Sequence, residues 1–123
     1  MDAWIMKVNE AIMAFSQSEK IKSGLIWVSQ SLQLLNGTSE PERPGVEKFG
    51  KAMVGMIAHE IQLGKNITGD ASWEEVLKHI ERAMVMIDSG VAAEAVGSLT
   101  QALSQVTGIG HRSMSFLMKK GLL

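Results

Sequence analysis

Cysteine is absent from this 123-residue chain, which excludes disulfide frameworks, thiolate zinc sites and thiol nucleophiles together. Proline occurs only twice. No stretch alternates apolar and polar residues as a half-buried strand does, so α/β and all-β architectures are disfavoured. No apolar run approaches the roughly 20 residues of a membrane span, and Met1-Asp2-Ala3-Trp4 lacks the basic stretch and apolar segment of a secretory leader. These absences predict a cytoplasmic protein without a membrane partner. The triplets Asn36-Gly37-Thr38 and Asn66-Ile67-Thr68 then read as turn residues beside helix ends, not as sugar acceptors. Phosphate-binding loops of nucleotide enzymes and Gly-x-Ser-x-Gly nucleophile elbows are missing as well.

What is present is an apolar surplus. Hydrophobic residues make up 46% of the chain and nine of them are methionine, which suggests a soft core or an adaptable apolar binding face. The length suits one domain spanning 1–123. Net charge is −1, unevenly spread. Residues 91–123 carry Arg112, Lys119 and Lys120 against Glu94, a balance of +2, and residues 1–90 carry nine basic and twelve acidic groups, a balance of −3. A basic tail this small moves the reading only slightly toward polyanions.

Helical spacing runs through the chain. Trp4, Val8, Ala11, Ile12 and Phe15 predict a first helix over 2–15, and Ser16-Gln17-Ser18-Glu19 has the pattern of a capping box that opens a second. The second helix places Ile21, Leu25, Val28, Leu32 and Leu35 in alternating steps of four and three, the spacing of a coiled-coil seam, with Asn36-Gly37 as a left-handed stop. Both prolines fall in an exposed connection over 37–45. A third helix over 46–63 presents Phe49, Met53, Ile57 and Ile61, with small residues Gly50, Ala52 and Gly55 permitting close approach. Ser72-Trp73-Glu74-Glu75 opens a fourth with Trp73, Val76, Leu77, Ile80, Met84 and Ile87 inward, and Asp88-Ser89-Gly90 turns the chain. A fifth helix uses Val91, Ala95, Leu99, Leu103 and Val106, antiparallel to the fourth, and a short sixth over 111–120 ends at Gly121. The expected architecture is an all-α up-down bundle of five to six helices, four long ones forming the core.

Leu103 to Met114 reads as a helix end, the Gly-apolar-Gly sequence Gly108-Ile109-Gly110, and a new helix start. This segment resembles the helix-hairpin-helix motif over about residues 99–118. The resemblance implies sequence-nonspecific DNA contact through Gly108, Gly110 and Arg112, extended by Lys119 and Lys120, because glycines admit backbone N–H groups to a phosphate and a helix start adds partial positive charge. The structural alternative makes Gly108 a helix cap, Ile109 a core plug and Gly110 a sharp turn.

Glu75 and His79 share one helix turn, and His59-Glu60 lie on another helix, but residues 59 and 60 point about 100° apart and no Glu-x-x-His spacing occurs. Surface pairing of Glu75 with His79 and Glu74 with Lys78 is the preferred reading. No metal, cofactor, catalytic residue or small-molecule substrate is assigned. Trp27 stands off the seam, so Trp27 with Leu25, Val28 and Leu32 is the candidate protein interface. By elimination of chemistry, the expected function is a non-catalytic interaction module, adaptor or assembly in type, with a second copy (a homodimer) and an unidentified protein as partners. DNA association through 108–112 is the alternative.

Overall fold

The computed structural model describes residues 7–123, and Trp4 of the expected first helix lies outside them. Among the described residues the architecture is all-helical. Four α-helices follow one another: α1 (Val8–Gln33), α2 (Arg43–Thr68), α3 (Ser72–Asp88) and α4 (Ala95–Lys119), with 3-10 turns at Leu34–Gly37 and Ala92–Glu94. Helix α1 packs on α2 and α4, and α3 packs on the same two, so the helices form a ring around one core. Short connections reverse the chain at each step. Lys51 pairs with Asp88 and Lys65 with Glu74, which sets α2 antiparallel to α3.

Four helices replace the five to six expected, because two expected boundaries fall inside continuous helices. Ser16 to Glu19 lies inside α1, where Ser18 is buried and its hydroxyl donates to the Phe15 carbonyl at 2.8 Å. Ser16, the serine that would cap, lies inside the helix as well, and Glu19 pairs with Lys22, so the capping signature goes unused. The buried positions Ala11, Ala14, Ser18, Ile21, Leu25, Val28, Leu32 and Leu35 keep one three-four alternation from end to end. That seam makes the first and second expected helices a single one.

The second merger is in α4, which runs through Gly108, Ile109 and Gly110 without a break. Among the described residues positive φ occurs only at Gly69, Gly90 and Gly121, so the expected turn at 108–112 and the left-handed stop at Gly37 are not formed. A Cβ on Gly110 would lie 2.5 Å from Ser18 Oγ. Gly110 is therefore the place where α1 comes close to α4, and its missing side chain serves packing instead of a turn. Gly108 differs: a Cβ there meets only Arg112 Nη1, at 3.8 Å. Gly108→Ala is expected to raise stability by about 0.5–1 kcal/mol, the ordinary helix-interior gain over glycine. A urea titration checks it, since a glycine-dependent hairpin would lose stability on the same substitution.

Helix α2 is rotated from its expected face. Gly50, Val54, Ile57, Ile61, Gly64 and Thr68 are buried, while Phe49 is 58% exposed and Met53 only partly buried. Val91, expected on the fifth helix's core face, precedes α4 and is exposed. Helix α3 does begin at Ser72 with Trp73 inward, but the serine is not its cap. The cap position is Ala71, whose methyl side chain cannot hydrogen-bond, and Asp70 Oδ1 accepts the Ser72 N–H at 2.9 Å, satisfying the first amide of the helix from outside it. Glu74 pairs with Lys65 and Glu75 with Lys78, replacing the pairings expected with Lys78 and His79.

Candidate interaction face

The expected site residues separate into three groups. Leu25, Val28 and Leu32 are fully buried in the bundle core, so they are not available to a partner. The seam that drew attention to them is the one α1 uses for its own neighbours. Trp27 is different. It sits one position off that seam and is 64% exposed.

Arg112 is held within the molecule. Its Nη2 donates to Asp70 Oδ2 at 3.2 Å and to Ser72 Oγ at 3.0 Å, so α4 is pinned to the α2–α3 corner. With Asp70 Oδ1 accepting the Ser72 N–H, both carboxylate oxygens are engaged. Gly108 and Gly110 lie in the helical ladder of α4, not in a turn that offers free N–H groups. Lys119 and Lys120 are exposed at the end of α4, and Lys120 Nζ lies 5.5 Å from the Phe116 ring centroid. Among the described residues no three His, Asp or Glu side chains gather as metal ligands would, and His59, Glu75 and His79 are not brought together. No helix among them is long and apolar enough to cross a membrane.

A groove of about 700 Å³ lies between α1 and α2, lined by Ile21, Gly24, Trp27, Met53, Met56 and Ile57 among others. Gly24 faces the Ile57 side chain, and Gly55 has open space where a Cβ would stand. These two glycines keep the groove open. At one end Lys20 and Glu60 form an ion pair, and the Gln17 side-chain amide donates to the Glu60 carbonyl at 2.9 Å. The Lys20 hydrogen bond, reinforced by its charge, holds the Glu60 carboxyl below its ordinary pKa. The groove is thus apolar along its length and closed at one end by a charge pair.

Seven-residue spacing frames it. On α1 and into the turn that follows it the outward positions Met13, Lys20, Trp27 and Leu34 recur every seventh residue, and on α2 Phe49, Met56 and Leu63 do the same. Each of these apolar residues is exposed, with Leu34 at 66% and Met56 at 64%. In a bundle these positions ordinarily carry polar groups. Helix α3 is closer to that ordinary pattern, with Glu74, Glu75, Lys78, Glu81 and Arg82 outward and Val85 as an apolar exception. Sequence reasoning reached Trp27 but not the α2 half of this face, because Phe49 and Met53 were placed in the core. The missed signal is a second heptad column on α2 beside the buried one.

No family model, curated protein or solved structure matches the chain. Functional inference therefore rests on the geometry of this face.

Proposed function

We propose that the chain is a non-catalytic macromolecular interaction module, of adaptor or assembly type, that binds through the α1/α2 face. One observation carries the reading: a tryptophan nearly two-thirds exposed stands beside a groove it does not fill. Exposing an indole and a row of Leu, Phe and Met to water is unfavourable, and burying them in a contact recovers roughly 1.5–3 kcal/mol per large side chain before the costs of association. Tryptophan in particular anchors interfaces, because it offers wide rigid contact at small entropic cost. Contiguous apolar patches of this extent on a bundle mark contact surfaces.

The test uses a photoreactive benzophenone amino acid placed at position 56, on the face, or at position 85, on α3, where Val85 is 63% exposed. Irradiation of cells that make the protein is expected to give higher-mass adducts from position 56, lost when Trp27→Lys is added. Adducts from 85 equal to those from 56, or none from 56, would overturn the assignment of the face.

A further inference from the structure

Resting on the reading of α1/α2 as the interaction face, we infer that its occupant is a second copy of this chain, joined by a two-fold contact in which Trp27 of each protomer enters the groove of the other. Three features of the face converge on this occupant.

Shape comes first. A two-fold contact requires one surface to carry both a projection and the recess that receives it, because residue i of one copy meets residue j of the other and the reverse. Trp27 projects from the wall of the groove, and Gly24, Ala52 and Gly55 leave room along it. Knob and hole lie side by side on the same face.

Charge is the second feature. Two identical surfaces repel when the surface carries net charge. Among the residues that line the groove the charged groups are Lys20 and Glu60, and they neutralise each other. The other ion pairs of these helices lie elsewhere: Lys22 pairs with Glu19 along α1, Arg43 with Glu40 at the start of α2, and Lys51 and Lys65 reach Asp88 and Glu74 at the α3 boundary. The outermost positions are Ser16, Ser23 and Gln30 on α1, and Ala52, His59 and Asn66 on α2. A neutral face suits a like copy, whereas a face selected for a charged partner would carry the opposite sign.

Area is the third. Trp27, Leu34, Phe49 and Met56 are each about three-fifths exposed, which at roughly 200 Å² per large side chain offers on the order of 500 Å² of apolar surface. Met13, Leu63 and the groove floor extend this toward the ~800 Å² per partner of a standard interface. The balance of an apolar centre with a polar uncharged rim is that of a dimer contact.

Sedimentation equilibrium over a concentration series tests this on the full chain. Wild type is expected to pass from the mass of one chain to that of two. Trp27→Lys, which puts charge on the knob, and Gly55→Gln, which fills the hole where a Cβ meets nothing within 4 Å, are each expected to weaken dimerisation about hundredfold. Both positions are outside the core, so circular dichroism and unfolding midpoint should show the fold intact. Val85→Lys should dimerise as wild type does. A wild type that stays at one chain mass throughout overturns the two-fold contact. If adducts from position 56 then still depend on Trp27, the interaction face stands with a different partner. A Trp27→Lys variant that dimerises as tightly as wild type also overturns it, by placing the contact on another face.

Discussion

Trp73→Ala is expected to remove about 4 kcal/mol of folding stability, a large part of what a domain of this size possesses. The indole is completely buried, and it lies over Gly64, where an added Cβ would come within 3.0 Å of Cε2 and Cζ2. Truncation to a methyl group leaves a cavity with rigid helical walls, and the lost transfer energy adds to the cost of that void. Its N–H is also anchored. Trp73 Nε1 donates to Thr68 Oγ1 at 3.0 Å, while that hydroxyl donates to the Gly64 carbonyl at 2.8 Å and accepts from the Asp70 N–H at 3.2 Å. Trp73→Phe keeps much of the volume and gives up the indole donor, so its cost should be about 1–2 kcal/mol. Urea unfolding of the two variants measures the difference, and a Trp73→Ala loss no larger than that of Trp73→Phe would show that the ring is not a principal support of the core.

The second large effect concerns the crossing of α1 and α4. Gly110→Ala is expected to cost about 2 kcal/mol, although alanine in an open helix position gains over glycine. The new Cβ would fall 2.5 Å from Ser18 Oγ and 3.2 Å from Ser18 Cβ. Ser18 has little freedom to yield, being buried and bonded to the Phe15 carbonyl. Removing the obstacle should restore the space, so adding Ser18→Gly to Gly110→Ala is expected to cost less than the two single losses combined. A double-mutant cycle by urea unfolding reads that coupling, and strict additivity would mean that the two residues do not share the contact. Set beside the gain expected for Gly108→Ala, the pair distinguishes a glycine that packs from one that merely occupies a helix.

How far the fold was legible follows from these residues. The seam from Ile21 to Leu35 was plain, because five large apolar residues in alternating steps leave one face to bury. Its continuation through Ala11, Ala14 and Ser18 was hidden, since small residues give a weak hydrophobic signal and Ser18-Glu19 also belongs to a capping pattern. The start of α3 at Ser72 and the turn at Gly90 were readable from local chemistry, and Gly90 does take φ 82°. Gly110 was misread for a physical reason. A glycine that admits another helix and one that reverses the chain are the same letter, and only the position of Ser18, 92 residues earlier, tells them apart.

The candidate face was half legible. Trp27 stood out because it interrupts a regular seam. On α2 the two columns lie side by side, Phe49, Met56 and Leu63 beside Gly50, Ile57 and Gly64, and Phe49 reads as core because it is larger than its neighbour Gly50. The opposite holds, because Gly50 sits under Leu32 and Gly64 under Trp73, where larger residues do not fit. The hold of Asp70 on Arg112 was beyond sequence spacing, since the partners are 42 residues apart.

The arrangement around Trp73 bears on how such a chain can diverge. Arg112 bonding to Ser72 puts the Gly110 region of α4 at the level of the indole, so one end of the bundle combines one very large side chain with Ala14, Ser18, Gly64, Gly110 and Ser113. Volume at that end is vested in a single residue and withheld from its neighbours. Their sizes are tied together: a Cβ added at Gly64 collides with Trp73, one added at Gly110 collides with Ser18, and shrinking the tryptophan alone opens a void. Joint randomisation of 14, 18, 64, 73 and 110 should return viable chains only as matched sets, with the bulk moved to another helix as a whole.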